Sequence, residues 1–532
     1  MDDIRMQENT QGNSFEYRQA VWMVAAGALL GVAIDILFYG ERLGISFPIW
    51  AVLSIGAVLF TSNKADTFPP RVFLIPVAIV LHAAFVAIRL EPMSVALNIA
   101  AVLVLFAIWL RDYHKGGWLT FGWLRVLWAV VSVPVEMTFR PWRVLGQVTS
   151  RAAGDSRLRK TALAVLRGLL LAIPVLLVFS ALLSAADLVF SDVMERLLAW
   201  FDIEWLQEAI RQLLIIFIAG LLSLGAIVTA LRDQPSIDAD AWLRRRTPRF
   251  LGKLETLIVL GAVNALFLLF VIIQFRYFFG GESNITTAGY TYAVYARRGF
   301  GELLTVAFLS LGLILGLNHW GRWEEARRWF KGFSALLVGE VAVMLVSAFR
   351  RLALYEAAYG FTRLRLYTHI AIIWLGIALT AFLVLLMLDR THRTVLLAAV
   401  VSSGFILTLN TVNVDALIVR RNHDRYRTSG ALDTNYFLEL TFDAVPAMVE
   451  IVDATDGEER ALVLANLACQ RTRLQLQAES AGWPSTHFSR LRAAAALDDI
   501  EDELAGYDVL QGDSGWIARW GQREMYCGWY WD

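Results

Sequence analysis

Long apolar blocks separated by short polar stretches set the pattern of the first 412 residues. Blocks long enough to cross a bilayer fall at 20–38, 46–62, 71–89, 93–110, 118–137, 161–187, 206–231, 251–279, 299–318, 332–354, 366–388 and 394–412. A helix of roughly 20 apolar residues traverses the hydrocarbon, so the pattern predicts about 12 spans. The 46–62 block is short, and 118–137 carries Arg125 and Pro134. Pro76 and Pro174 lie inside blocks, where neighbouring helices can satisfy the carbonyl that a proline frees. No sequence repeat relates the two halves.

After residue 412 the apolar positions become periodic and interrupted. Helical spacing runs through 434–452, 458–477 and 486–505, with Asp456-Gly457 dividing the first two and Trp483-Pro484-Ser485 opening the third. The last stretch carries Trp516, Trp520, Tyr526, Trp529, Tyr530 and Trp531. Such an aromatic end either packs on the tail's own helices or lies against a membrane interface. The expected architecture is therefore all-α. It comprises a polar stretch over 1–19, a polytopic transmembrane helical bundle over 20–412 and a small, acidic, mostly helical extramembrane domain over 413–532.

Composition agrees with the membrane class. Of 532 residues, 57% are hydrophobic and only 18% charged, whereas a soluble chain carries about 25% charged residues. Net charge is zero, yet residues 413–532 hold 20 acidic and 11 basic side chains. An acidic tail argues against nucleic acid as a partner. Residues 1–20 are polar and of mixed charge, so no cleaved signal peptide is expected. Both cysteines, Cys469 and Cys527, lie in the tail. They can pair if the tail lies outside the cytoplasm and otherwise remain thiols. No Cys/His spacing points to a metal, and no cofactor motif occurs.

Loop charge orients the bundle. Loops 138–160, 232–253, 319–331 and 389–393 hold 18 basic residues, against seven in 188–205, 280–298 and 350–365. The first set is expected in the cytoplasm and the tail outside it. The 350–365 loop fits that scheme poorly, since it carries Arg350, Arg351, Arg363 and Arg365.

Residues 289–303 read as a short interfacial helix leading into a span. Tyr292, Tyr295 and Gly299 share a stripe that continues through Leu303 and Val306, and Arg298 lies one turn from Glu302, with Arg297 beside it. Gly289, Tyr290, Thr291, Ala293, Tyr295, Arg297, Gly299, Phe300, Glu302 and Leu303 match a Gly-Tyr-Thr-x-Ala-x-Tyr-x-Arg-x-Gly-Phe-x-Glu-Leu signature. Asn413, Asp415 and Ala416, with the later Asn422, match a second element. In these motifs the chain, from roughly 160 to 450, resembles a bacterial family of uncharacterised polytopic inner-membrane proteins, defined as a domain of unknown function. The resemblance implies a bacterial inner membrane and no particular reaction.

Ionisable groups at membrane depth are costly and so are candidates for function. Glu340 lies near the centre of 332–354 and shares a helical stripe with Ser347 and Arg351. It is either a titrating relay group or half of an interhelical pair with an arginine. Asp35, His82, Asn98, Arg125, Asn264, Gln274 and His369 are expected as interhelical hydrogen-bonding groups. If the last helix continues outward, Asn410, Asn413, Arg421 and Asp424 form one stripe, and Asp415 and Asn422 another. These build either a polar pocket with the tyrosine motif or a rigid junction that holds the tail. No phosphate-cradling loop, His-Glu-x-x-His or Gly-x-Ser-x-Gly occurs, and no enzyme is expected. Two readings remain: a carrier of a small molecule or ion with a buried carboxylate, and a signalling or envelope-assembly protein whose tail meets a protein partner.

Overall fold

The apolar blocks become helices because, without water, only a helix or a closed barrel satisfies every backbone polar group. The computed structural model describes residues 15–62, 70–113, 117–118, 121–153, scattered positions between 161 and 186, and then 187–199, 204–232, 251–279, 300–321, 327–430, 432–479, 481–512 and 515–528. In chain order the helices are α1 (Tyr17–Phe38), α2 (Ser46–Thr61), α3 (Leu74–Ile88), α4 (Pro92–Asp112), α5 (Trp123–Phe139), α6 (Pro141–Ala153), α7 (Leu188–Ala199) and α8 (Glu204–Leu231). There follow α9 (Lys253–Phe279), α10 (Phe300–Trp320), α11 (Arg327–Tyr359), α12 (Arg363–Met387) and α13 (Thr394–Val412). Among the described residues, 8 of these helices are long and apolar enough to cross a membrane: α1, α4 and α8–α13. The helices α2 and α3 are apolar but shorter. Side chains such as Leu254, Ile258, Phe308 and Ile373 are more than half exposed along these helices, an apolar surface that suits lipid and not water. The protein is an integral membrane protein.

The chain forms two compact units. The first comprises Met1–Val80, Val104–Gly116 and Trp128–Pro235. Here α1 and α8 lie backbone to backbone: a Cβ on Gly27 would stand 2.8 Å from the Leu224 Cβ, and one on Gly31 would collide with the Ile216 carbonyl. Lipid tails are as apolar as leucine, so close packing over small residues is what drives such a pair together. The Glu136 carboxylate joins Arg111 at 2.6 Å and Arg140 at 3.0 Å.

The second unit comprises Leu81–Leu103, Gly117–Leu127 and Ser236–Asp532. Its membrane part centres on α11, which packs against α9, α10 and α12, with α13 on the far side of α12. Leu260, Ala307, Leu337, Val341, Ala348 and Phe382 fill the space between them. At one end Asp389, on the turn after α12, meets Arg327 at 2.9 Å and Lys331 at 2.7 Å. Two of the basic loops grouped together in the sequence thus share an end of the bundle.

At the other end the chain breaks at Asn413, whose φ of 51° is left-handed, and continues as α14 (Val414–Ser429). Short helices α15 (Thr434–Phe437) and α16 (Val445–Val452) precede the long α17 (Gly457–Glu479), then α18 (Phe488–Asp498) and α19 (Glu501–Leu504). The apolar core of this region includes Leu366, Ile370 and Leu409 from the bundle beside Val445, Met448, Leu464 and Leu467. Packing is therefore continuous across the position where the sequence turns acidic.

The described residues add detail to two expectations. The tail is not wholly helical: β1 (Asp508–Gly512), β2 (Gly515–Trp520) and β3 (Arg523–Gly528) form an antiparallel sheet in that order. Its signals are alternation and turns. Ala518, Met525 and Cys527 point inward onto Ala465 and Cys469, with Trp516 and Trp520 alongside, and Gly521 turns the chain at φ 58°. The aromatic run masked that two-residue period. A disulfide joins Cys469 of α17 to Cys527 of β3, the paired alternative of the two left open. Of the expected spans, about 12, the described residues show 8 helices of membrane-crossing length. The 89–91 turn and the tail lie together, since Leu90 and Glu91 both donate to Asp443.

Candidate functional site

Helix α13 ends because Asn413 turns left-handed, which asparagine tolerates better than most residues. Its side-chain oxygen then accepts from the Ala416 amide and caps α14, while its Nδ2 donates to the Asp443 carbonyl at 3.1 Å. That kink drives Asp415 inward. Its carboxylate is fully buried and takes a two-pronged bond from Arg363, at 2.7 and 2.6 Å, plus the Thr441 amide and hydroxyl, both at 2.8 Å. The Arg363 amide in turn donates to the Tyr436 hydroxyl.

A second buried carboxylate lies beside it. Asp443 accepts from the Leu90 amide at 2.6 Å and the Glu91 amide at 3.1 Å, and pairs with Arg89 at 3.5 Å. Burial pushes the Asp443 carboxyl above its ordinary range and the Arg89 guanidinium below its own, and each partly restores the other. Arg89 Nε also donates to the Asn410 carbonyl at 2.7 Å. From there a polar chain descends into the bundle: Asn410 with Asn98, Asn98 with His82 at 2.9 Å, and His82 with Ser403. Glu91 caps α4 through Met93 and Ser94 and accepts from the Tyr367 hydroxyl.

Asn422 does a different task on the same helix. It accepts from the Phe361 amide at 2.7 Å and donates to the Phe361 carbonyl at 2.9 Å. Arg425 beside it donates to the carbonyls of Ala357 and Ala358, two of the acceptors that the end of α11 leaves open. Gly360, at φ 79°, makes the turn, and a Cβ there would stand 2.9 Å from Asn422 Oδ1.

The site residues read from the sequence separate into three groups. Asn413, Asp415 and Asn422 share the junction between the bundle and the tail. The stripe that joined Asn410, Asn413, Arg421 and Asp424 required an unbroken helix. After the kink Asn410 faces Asn98 in the interior, while Arg421 and Asp424 form an exposed pair. Ser347 and Arg351 converge on Gln274 Oε1, at 3.0 and 2.8 Å. Glu340 does not join them: it is 5% exposed, and neither carboxylate oxygen has a partner among the described residues. His369 is held by Glu356 at 3.0 Å. Tyr292, Tyr295, Arg297 and Arg298 lie outside the described residues, and Glu302 is exposed in the first turn of α10.

Arg89, Glu91, Arg363, Thr441 and Asp443 were missed. One signal was present, the surplus of arginine in 350–365. Arg363 is bound to a tail carboxylate and Arg365 donates to the carbonyls of Tyr359 and Gly360, so these two serve the fold. No group of three or more His, Cys, Asp or Glu among the described residues is placed to hold a metal.

No curated protein and no solved structure matches the chain. A family model described as a domain of unknown function, DUF4153, matches residues 76–451. That range begins inside α3, earlier than the motifs indicated, and ends in α16. It takes in both sides of the junction and leaves α1, α2 and the sheet outside. The chain belongs to the DUF4153 family.

Proposed function

We propose that this protein is a non-enzymatic membrane partner in envelope assembly or signalling, which mounts its C-terminal domain rigidly on a multi-pass bundle outside the cytoplasm of a bacterium. The observation that carries the reading is the junction itself. Two carboxylates, Asp415 and Asp443, are buried at the seam and engaged by three backbone amides and two arginines. Buried ion pairs add little net stability but fix one arrangement, which is what presenting a domain at a set angle requires. The Cys469–Cys527 disulfide supports the extracytoplasmic side, because disulfides persist in oxidising compartments. A membrane-impermeant maleimide tests it. Labelling of these cysteines in intact cells only after reductant is expected, whereas labelling that requires permeabilisation and no reductant removes the reading.

A second reading, an ion- or proton-coupled carrier, is favoured by Glu340 alone. A carboxyl buried in a membrane-length helix with no partner among the described residues is costly, and such groups mark transport pathways. Glu340→Gln is then expected to insert and fold normally yet abolish coupled flux in proteoliposomes. Undiminished flux eliminates the carrier.

A further inference from the structure

The first turn of α18 and the Trp483–Ser485 turn before it expose three large apolar side chains on a domain whose surface is otherwise mostly polar. Trp483 is 57% exposed, Phe488 49% and Leu491 54%. Phe488 and Leu491, three residues apart, share one face of the helix. The other face is well packed, through Ala493 and Leu497 in the core, so the exposure does not come from a loose fit.

Two hydrogen bonds fix where this face stands. His487 Nδ1 accepts from the Ser489 amide, which leaves the proton on Nε2, and Nε2 donates to the Val86 carbonyl at 3.0 Å. Arg492 Nη2 donates to the Ile88 carbonyl at 3.1 Å, while its Nε donates back to Phe488. Val86 and Ile88 are the last turn of α3. That helix exposes Leu81 at 44%, and the helix that follows it, α4, exposes Met93 at 43% and Leu103 at 56%. The chain turns at Arg89–Glu91 and goes back as the span α4. The first turn of α18 therefore stands at the rim where membrane helices end.

The geometry points to Trp483, Phe488 and Leu491 as a lipid-binding patch that seats the C-terminal domain on the acyl–headgroup boundary of the bilayer. Its place at the turn into α4, a helix long and apolar enough to cross a membrane that exposes Met93 and Leu103, selects this occupant. Tryptophan and phenylalanine beside arginine are the side chains that partition to this depth. The inference does not depend on which side of the membrane the domain occupies.

Because Cys469 and Cys527 are bonded to each other, an introduced cysteine is the sole reactive thiol. Phe488→Cys and Leu491→Cys, carrying nitroxides in the full-length protein in phosphatidylcholine–phosphatidylglycerol vesicles, are compared with the exposed Asp502→Cys. Collision with oxygen, which concentrates in lipid, is expected to exceed collision with a water-soluble nickel chelate severalfold at 488 and 491 and to fall below it at 502. Nickel collision at 488 and 491 equal to that at 502 places the patch in water and overturns the proposal. Low collision with both reagents means that protein, such as a second copy of the chain, covers the patch, and overturns it equally.

Discussion

Asp415 shows what one buried charge does at this seam. Its carboxylate has lost all water and in exchange holds the Arg363 guanidinium and two donors of Thr441. Asp415→Ala leaves Arg363 half of a broken pair, a change that costs about 3–5 kcal/mol where both partners are buried. The Arg363 side chain is still 20% exposed, which places the expected loss at the lower end of that range. Thermal unfolding in detergent, with amide exchange of the tail as a second readout, checks the figure. A loss under about 1 kcal/mol would show that the pair is incidental. Arg363→Lys is expected to remain destabilised, because a lysine cannot match both carboxylate oxygens. Asp415 was legible as a carboxylate at the end of an apolar block. Its partner was not, since 52 residues separate them and no helical spacing relates them.

At the scale of elements, the docking of α18 on α3 depends on a neutral histidine. Burial, with Arg490 and Arg492 nearby, lowers His487 from an ordinary 6.5 to about 4. A group depressed in the folded state contributes stability that is present above pH 6.5 and is lost as pH falls through about 4. The loss amounts to about 3 kcal/mol when complete. Asp443 acts in the opposite sense: raised above 3.8, it favours the fold at the acid end and offsets part of that loss. Hydrogen exchange at the Leu491 amide, which donates to the His487 carbonyl, is expected to quicken between pH 7 and pH 4.5 after correction for intrinsic rates. His487→Gln should flatten that response. A response that survives the substitution assigns it to another group. Element boundaries were legible where a period ran unbroken. The end of the last block at 412 was legible, but the change of direction at Asn413 was not, and a two-residue period within an aromatic run was missed, as in β2.

For the whole molecule, the long apolar blocks determined that the chain is a membrane protein and marked the 8 helices, among the described residues, that are long and apolar enough to cross, because the demand for internal hydrogen bonding in lipid is local to each segment. They did not determine how many shorter segments cross, which depends on where their ends are held. The turn at 89–91 meets the tail through backbone amides, and a backbone amide carries no sequence signature. The acidic character of the tail, the two cysteines and the candidate carboxylates were all visible one residue at a time. Only the tertiary structure decided that the cysteines pair, that Asp415 and Asn422 clamp the tail to α11 and α12, and that Glu340 stands apart from Ser347 and Arg351. Each of those outcomes is a choice among partners far apart in the chain, settled by packing that brings distant segments to one place, whereas a sequence read alone records only what each segment needs.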